Sequence, residues 1–180
     1  MAKGPVLYCA PGAGLGHIVR ACAISLRLAD SGVGCRIVSN SPFADAMARI
    51  TGCEIDFIES DRLKAEMPKF VKEMDPKLVA LDTFPWGLRG EWLGRHAKGR
   101  QFVYVARRMN VRAYLDALGR EWDGDAPQVS RVIVAEPLSV EHRGLINESA
   151  EEAVRLPGRI RFPHEKVNAP VPPELEKIIK

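Results

Sequence analysis

Cys9-Ala10-Pro11-Gly12-Ala13-Gly14-Leu15-Gly16-His17 is the stretch of the 180-residue chain best suited to chemistry. An apolar run enters it and a helical pattern leaves it. Gly12, Gly14 and Gly16 let the backbone turn tightly and come close to a substrate, and the following helix start offers unpaired N–H groups to an anion. A dinucleotide fingerprint G-x-G-x-x-G would need glycine at position 17, where this chain has His17. The second apolar run ends in Ser39-Asn40 rather than in an acidic ribose ligand, so NAD or FAD binding is disfavoured. No Walker A loop is present. A second candidate is Leu78-Val79-Ala80-Leu81-Asp82-Thr83-Phe84-Pro85-Trp86-Gly87, an apolar run that delivers a carboxylate into a loop. Arg20, one turn after His17, and Arg107-Arg108, after a later apolar run, are guanidinium groups suited to phosphate or carboxylate, although exposed arginines are commonly only solvated.

Other reactive types give less. Cys9, Cys22, Cys35 and Cys53 contain no C-x-x-C pair, which disfavours a zinc site or dithiol motif and suits buried thiols in a reducing cytosol. His96, His142 and His164 have no mutual ligand spacing, so no metal is expected. Glu151-Glu152 reads as a solvated helix face rather than a glycosidase pair. Trp86 and Trp92 have the chemistry to stack on a sugar or an apolar acceptor, but aromatics at helical spacing more often fill a core.

The elements that must hold these residues alternate. Strands are expected at Pro5 to Ala10, Cys35 to Ser39, Glu54 to Ile58, Leu78 to Leu81, Gln101 to Ala106 and Arg131 to Ala135. Most are continuous apolar runs, as in parallel strands covered on both faces. Between them helices are expected from His17 to Asp30, Pro42 to Ile50 and Lys64 to Met74, with Pro68 placed best in a first turn. Further helices are expected from Gly87 to His96, Val111 to Arg120 and Ser139 to Ala150. In the first helix Ile18, Cys22, Leu26 and Ala29 form the apolar stripe and Arg20 lies off it. The pattern predicts an α/β fold with a Rossmann-like, doubly wound parallel sheet in a single domain, residues 1–162. Ligands of such sheets bind outside the carboxyl ends of the strands, where Gly12 to His17 and Asp82 would both fall. Pro157, Pro163, Pro170, Pro172 and Pro173 make residues 163–180 read as an extended linker.

Composition bounds the function. With 26 basic and 23 acidic side chains the net charge is +3, too small and too evenly spread to predict a nucleic-acid partner. No run of about 18 apolar residues and no signal-peptide pattern is present, so a cytoplasmic location is expected.

The opening Gly16-His17-Ile18-Val19-Arg20-Ala21 directly after the first strand, together with the Asp82-Thr83-Phe84 strand end, resembles the N-terminal, acceptor-side domain of GT-B glycosyltransferases. The likeness is to the MurG-like and UDP-glycosyltransferase-like enzymes, especially predicted members with a G-x-G-H-x-x-R opening, and it covers roughly residues 5–162. It implies transfer of a sugar, hexosyltransferase-type, from a nucleotide-sugar donor, UDP-linked, to a hydroxyl of a sugar, lipid-linked or small-molecule acceptor, with inversion. His17 would be the general base and Asp82 the carboxylate on its second ring nitrogen. Gly12, Gly14, Gly16, Arg20, Thr83 and Arg107 would line the substrates, with no metal and no cofactor beyond the donor. The resemblance further implies a C-terminal donor-binding domain, in the same or another chain, without which the enzyme is incomplete and this chain inactive. The competing expectation is a non-catalytic binding or scaffold module of the same fold. A sugar-nucleotide epimerase fits less well, because its opening loop differs.

Overall fold

A computed structural model describes residues 5–93, 97–121, 129–149 and 153–155. The chain alternates strictly at first: β1 (Val6–Cys9), α1 (Leu15–Asp30), β2 (Cys35–Ser39), α2 (Ala44–Thr51), β3 (Glu54–Phe57), α3 (Leu63–Met74) and β4 (Leu78–Asp82). It continues through β5 (Gln101–Ala106), α4 (Val111–Leu118), β6 (Val129–Val134), α5 (Val140–Ser149) and β7 (Ala153–Arg155). The seven described strands form one parallel sheet in the order β3-β2-β1-β4-β5-β6-β7. After β1 the chain winds outward through β2 and β3. It then returns to place β4 on the other flank of β1, which makes the β1/β4 boundary the topological switch point. The fold is the expected Rossmann-like α/β arrangement.

The continuous apolar strands follow from burial of both sheet faces, since successive residues point to opposite sides. Leu7, Cys9, Val79, Leu81, Phe102 and Tyr104 pack on one face with Leu63, Met67 and Val71 of α3 and Ile146 of α5. Tyr8, Ala10, Ala80 and Val105 face the other side, against Ile18, Ala21 and Cys22 of α1 and Met47 of α2. By the same alternation Asp82 follows Ala80 onto the α1 side. That parity decides which helix its carboxylate meets.

The expected strands match to within two residues, and β7 was not expected. It has three residues, too few for a periodic signal. The helix expected from Gly87 to His96 is corrected: the described part is a short 3-10 turn at Glu91–Leu93. Gly87 (φ +84°) and Gly90 (φ +72°) are left-handed, which an α-helix interior excludes. The Glu91 carboxylate accepts from the Leu88 and Arg89 N–H groups at 3.2 and 2.8 Å, closing a compact loop in place of a helix. In α3 Pro68 sits beyond the first turn, and burial of Leu63, Met67 and Val71 holds the helix across it. The domain end near Phe162, the proline-rich linker at 163–180, His96, His164 and Glu151-Glu152 lie outside the described residues. Among the described residues no helix is long and apolar enough to cross a membrane.

Candidate functional site

The switch point gathers His17, Arg20 and Asp82. Cys9 of β1 pairs with Leu81 of β4, so the Gly12–Gly16 turn and Asp82 leave the sheet side by side. His17 and Arg20 stand three positions apart in α1 and therefore project from neighbouring points of one helix side. Both reach the same carboxylate. His17 Nδ1 lies 3.5 Å from Asp82 Oδ2. Arg20 Nη2 donates to Asp82 Oδ1 at 2.9 Å and to Oδ2 at 2.6 Å. The Asp82 side chain is fully buried and that of Arg20 only 12% exposed. Arg20 lies off the buried stripe of α1, as expected, and its guanidinium turns inward to the buried charge. Thr83 Oγ1 donates to Asp82 Oδ1 at 3.0 Å. The Tyr8 hydroxyl is buried on the same face; burial first, and then the Asp82 charge, keeps it protonated well above the ordinary tyrosine range.

The turn in front of α1 is built for close approach. Gly12 has φ +147°, and a Cβ there would stand 2.6 Å from His17 Cδ2 and 2.9 Å from Nε2. Only glycine lets the imidazole lie over that turn. The Gly12 N–H donates to Asn40 Oδ1 at 2.5 Å, so the residue that stands in place of an acidic ribose ligand secures the loop. At Gly14 and Gly16 a Cβ would meet nothing within 4 Å, so this side of the turn is open. Gly14 gives α1 no side-chain cap, and no acidic residue stands in the first turn. The Phe84 ring lies nearly parallel to the His17 ring, centroids 6.2 Å apart, and adds an apolar flank.

Other expected residues sit elsewhere. Arg107 follows β5 and is ion-paired with Glu136, which follows β6. It belongs to the same end of the sheet but faces another strand end. Trp86 and Trp92 are buried, the core role that aromatics at helical spacing more often take: Trp86 stacks on Tyr114 and Trp92 packs edge-on to Phe102. His142 is also fully buried, and no group of three or more His, Cys, Asp or Glu fit to hold a metal occurs among the described residues. Two clefts, of about 380 Å³ beside Pro5, Cys35 and Cys53 and about 580 Å³ between α4 and α5, lie away from the switch point.

Sequence reasoning gave Asn40, Phe84, Tyr104 and His142 no role in the site. For Asn40 a signal existed, since it ends a strand beside the glycine turn. For Tyr104 and His142 none did, because their meeting depends on the sheet order.

Fold and switch point together define a Rossmann-like, doubly wound α/β domain with its candidate site at the carboxyl end of the sheet. The chain is similar in fold to SsfS6, a glycosyltransferase of Streptomyces sp. SF2575, with a TM-score of 0.52 and 13% identity. The match takes in 87% of this chain and 56% of that one, so the chain spans little more than half of that enzyme's length. SnogD, a glycosyltransferase from Streptomyces nogalater, matches at a TM-score of 0.49 and 15% identity, over 89% of this chain and 50% of that one. At 13% identity the likeness to SsfS6 is one of fold. No family model matches the chain, and no curated protein matches it in sequence.

Proposed function

We propose that this chain is the acceptor-side domain of an inverting glycosyltransferase that moves a sugar from a nucleotide-sugar donor, UDP-linked, to a hydroxyl acceptor. The observation that carries the reading is the 3.5 Å approach of His17 Nδ1 to the buried Asp82 carboxylate at the switch point. With its hydrogen on Nδ1, turned to Asp82, His17 presents a bare Nε2. That nitrogen takes the proton of the acceptor hydroxyl as its oxygen attacks the anomeric carbon, and the nucleotide leaves from the opposite face, inverting the centre. Asp82 stabilises the imidazolium that forms. Arg20 and Thr83 keep the carboxylate aimed. The open turn at Gly12, Gly14 and Gly16 borders the substrates, and Arg107 with its Glu136 partner forms a more distant wall. A C-terminal domain, in the same or another chain, supplies the donor site.

In the enzyme assembled with its donor-binding domain, His17→Ala is expected to lower kcat by about 10²-fold or more, the usual contribution of a general base. Sugar transfer at the wild-type rate by that variant would remove the assignment.

One observation favours a non-catalytic module instead. Arg20 and Thr83 already occupy the Asp82 oxygens, and 3.5 Å is longer than a formed hydrogen bond. Enzymes commonly tighten such contacts only with substrate bound, so contraction of this distance on acceptor binding separates the two readings.

A further inference from the structure

Thr83 is the strained residue of the site. Its φ is +69°, an outlier for a β-branched side chain, and the Phe84 N–H donates to the Asp82 carbonyl at 2.8 Å. A positive φ closed by that bond is a γ-turn of the rare hand. Such a conformation persists only where its surroundings over-determine it. Three contacts do so here. The Thr83 N–H donates to the Val105 carbonyl at 3.0 Å, and its hydroxyl donates to Asp82. Its carbonyl accepts the Tyr104 hydroxyl at 2.7 Å.

The third contact arrives from the opposite face of the sheet. Tyr104 packs with the α3 and α5 side, whereas the Asp82 carboxylate points to α1. The Tyr104 oxygen lies 3.0 Å from His142 Nε2 of α5. Ser139 Oγ accepts from the His142 N–H at 3.1 Å and secures the first turn of that helix. The protons can be assigned. A carbonyl only accepts, so the single phenol proton of Tyr104 goes to Thr83. The Tyr104 oxygen then accepts from His142, whose ring hydrogen sits on Nε2. Burial pushes the His142 imidazole below its ordinary pKa and favours this neutral form.

We propose that Tyr104 and His142 are positioning residues for Asp82: they act through the Thr83 carbonyl to hold the γ-turn that aims the carboxylate at His17. The inference rests on the roles proposed above for His17 and Asp82. Relaxation of Thr83 to an extended φ would rotate the backbone on both sides of it, withdrawing the carboxylate and moving the Phe84 ring from beside His17. The sheet thereby transmits the docking of α5 on one face to the acid–base pair on the other.

Histidine-selective ¹⁵N labelling of the 180-residue chain tests this, because the ring shifts report which nitrogen of His17 carries hydrogen. Wild type is expected to hold the single form protonated at Nδ1. Asp82→Asn should mix the two tautomers, and Tyr104→Phe should mix them too. His142→Gln, which keeps a side-chain N–H donor, should retain the single form, and His142→Leu should lose it. Mixing by Asp82→Asn but not by Tyr104→Phe would overturn the positioning role and leave the His17–Asp82 pair standing. An unchanged His17 in Asp82→Asn would overturn the pair itself, and the positioning role with it. If Tyr104→Phe does not fold, the two His142 variants decide, and equal effects from both overturn the proposal.

Discussion

A carboxylate with no exposure to water is tolerable only with a counter-charge in contact, and Asp82 has one in Arg20. Removing one partner of such a pair leaves a buried charge uncompensated, which costs about 3–5 kcal/mol. Arg20→Ala is therefore expected to destabilise the domain by about 3 kcal/mol in urea denaturation, the low end because Arg20 keeps slight exposure. Combining it with Asp82→Asn should cost clearly less than the sum of the single changes, since the charge left unpaired is gone. A loss below about 1 kcal/mol for Arg20→Ala, or strict additivity, would show that water reaches the carboxylate. The same residues mark what could be read before the fold was known. His17 and Asp82 were legible because each follows an apolar run at a strand end, where parallel sheets put their ligands. The grip of Arg20 on Asp82 was not, because it requires knowing that Asp82 turns to the α1 face. Whether a side chain two residues past Ala80 faces α1 or α3 is a matter of pleat parity and of which helix crosses which side. Local spacing does not carry that information.

Among the elements, periodicity served best where burial is two-sided. β2 and β5 have the expected bounds and α1 starts two residues early, because continuous apolar runs and a wide helical stripe leave few competing conformations. Residues 87–93 went the other way. Their apolar spacing fits a helix, but two left-handed glycines and the Glu91 carboxylate, which satisfies the backbone N–H groups, make a loop cheaper than a helix. α5 has the weakest periodicity of the long elements and is anchored through His142 instead, which allows a pH test. A histidine whose folded pKa lies below its unfolded value of 6.5 binds fewer protons folded than unfolded in the interval between the two. Stability then rises with pH across that interval: it is fully present above about pH 6.5 and is lost as pH falls toward the folded value, at a slope of at most about 1.4 kcal/mol per pH unit. Urea midpoints should accordingly fall from pH 7 to pH 5 more steeply in wild type than in His142→Gln, which does not titrate. Parallel pH profiles would mean that burial leaves the His142 pKa where it is in the unfolded chain.

For the whole molecule, the decisive feature is where the candidate site lies. His17, Arg20 and Asp82 stand at the carboxyl end of the sheet beside an open glycine turn, and the two described clefts are elsewhere. On the function proposed above, His17 and Asp82 form one wall of the site, and a glycosyl donor needs a second wall to bind its nucleotide and orient the anomeric carbon. Without it, a hydroxyl poised at His17 has no electrophile held in line, and the large advantage of fixing two reactants is absent. Titration of UDP into the 180-residue chain is expected to show binding no tighter than about 1 mM, equivalent to about −4 kcal/mol, with no sugar transfer. Supplying a donor-binding domain should bring both UDP affinity and transfer, and transfer should then depend on His17. Micromolar UDP binding or turnover by this chain alone would show instead that the sheet edge carries a donor site of its own. The open turn before α1 would then be the first place to look for the diphosphate, because its helix start presents unpaired N–H groups to an anion.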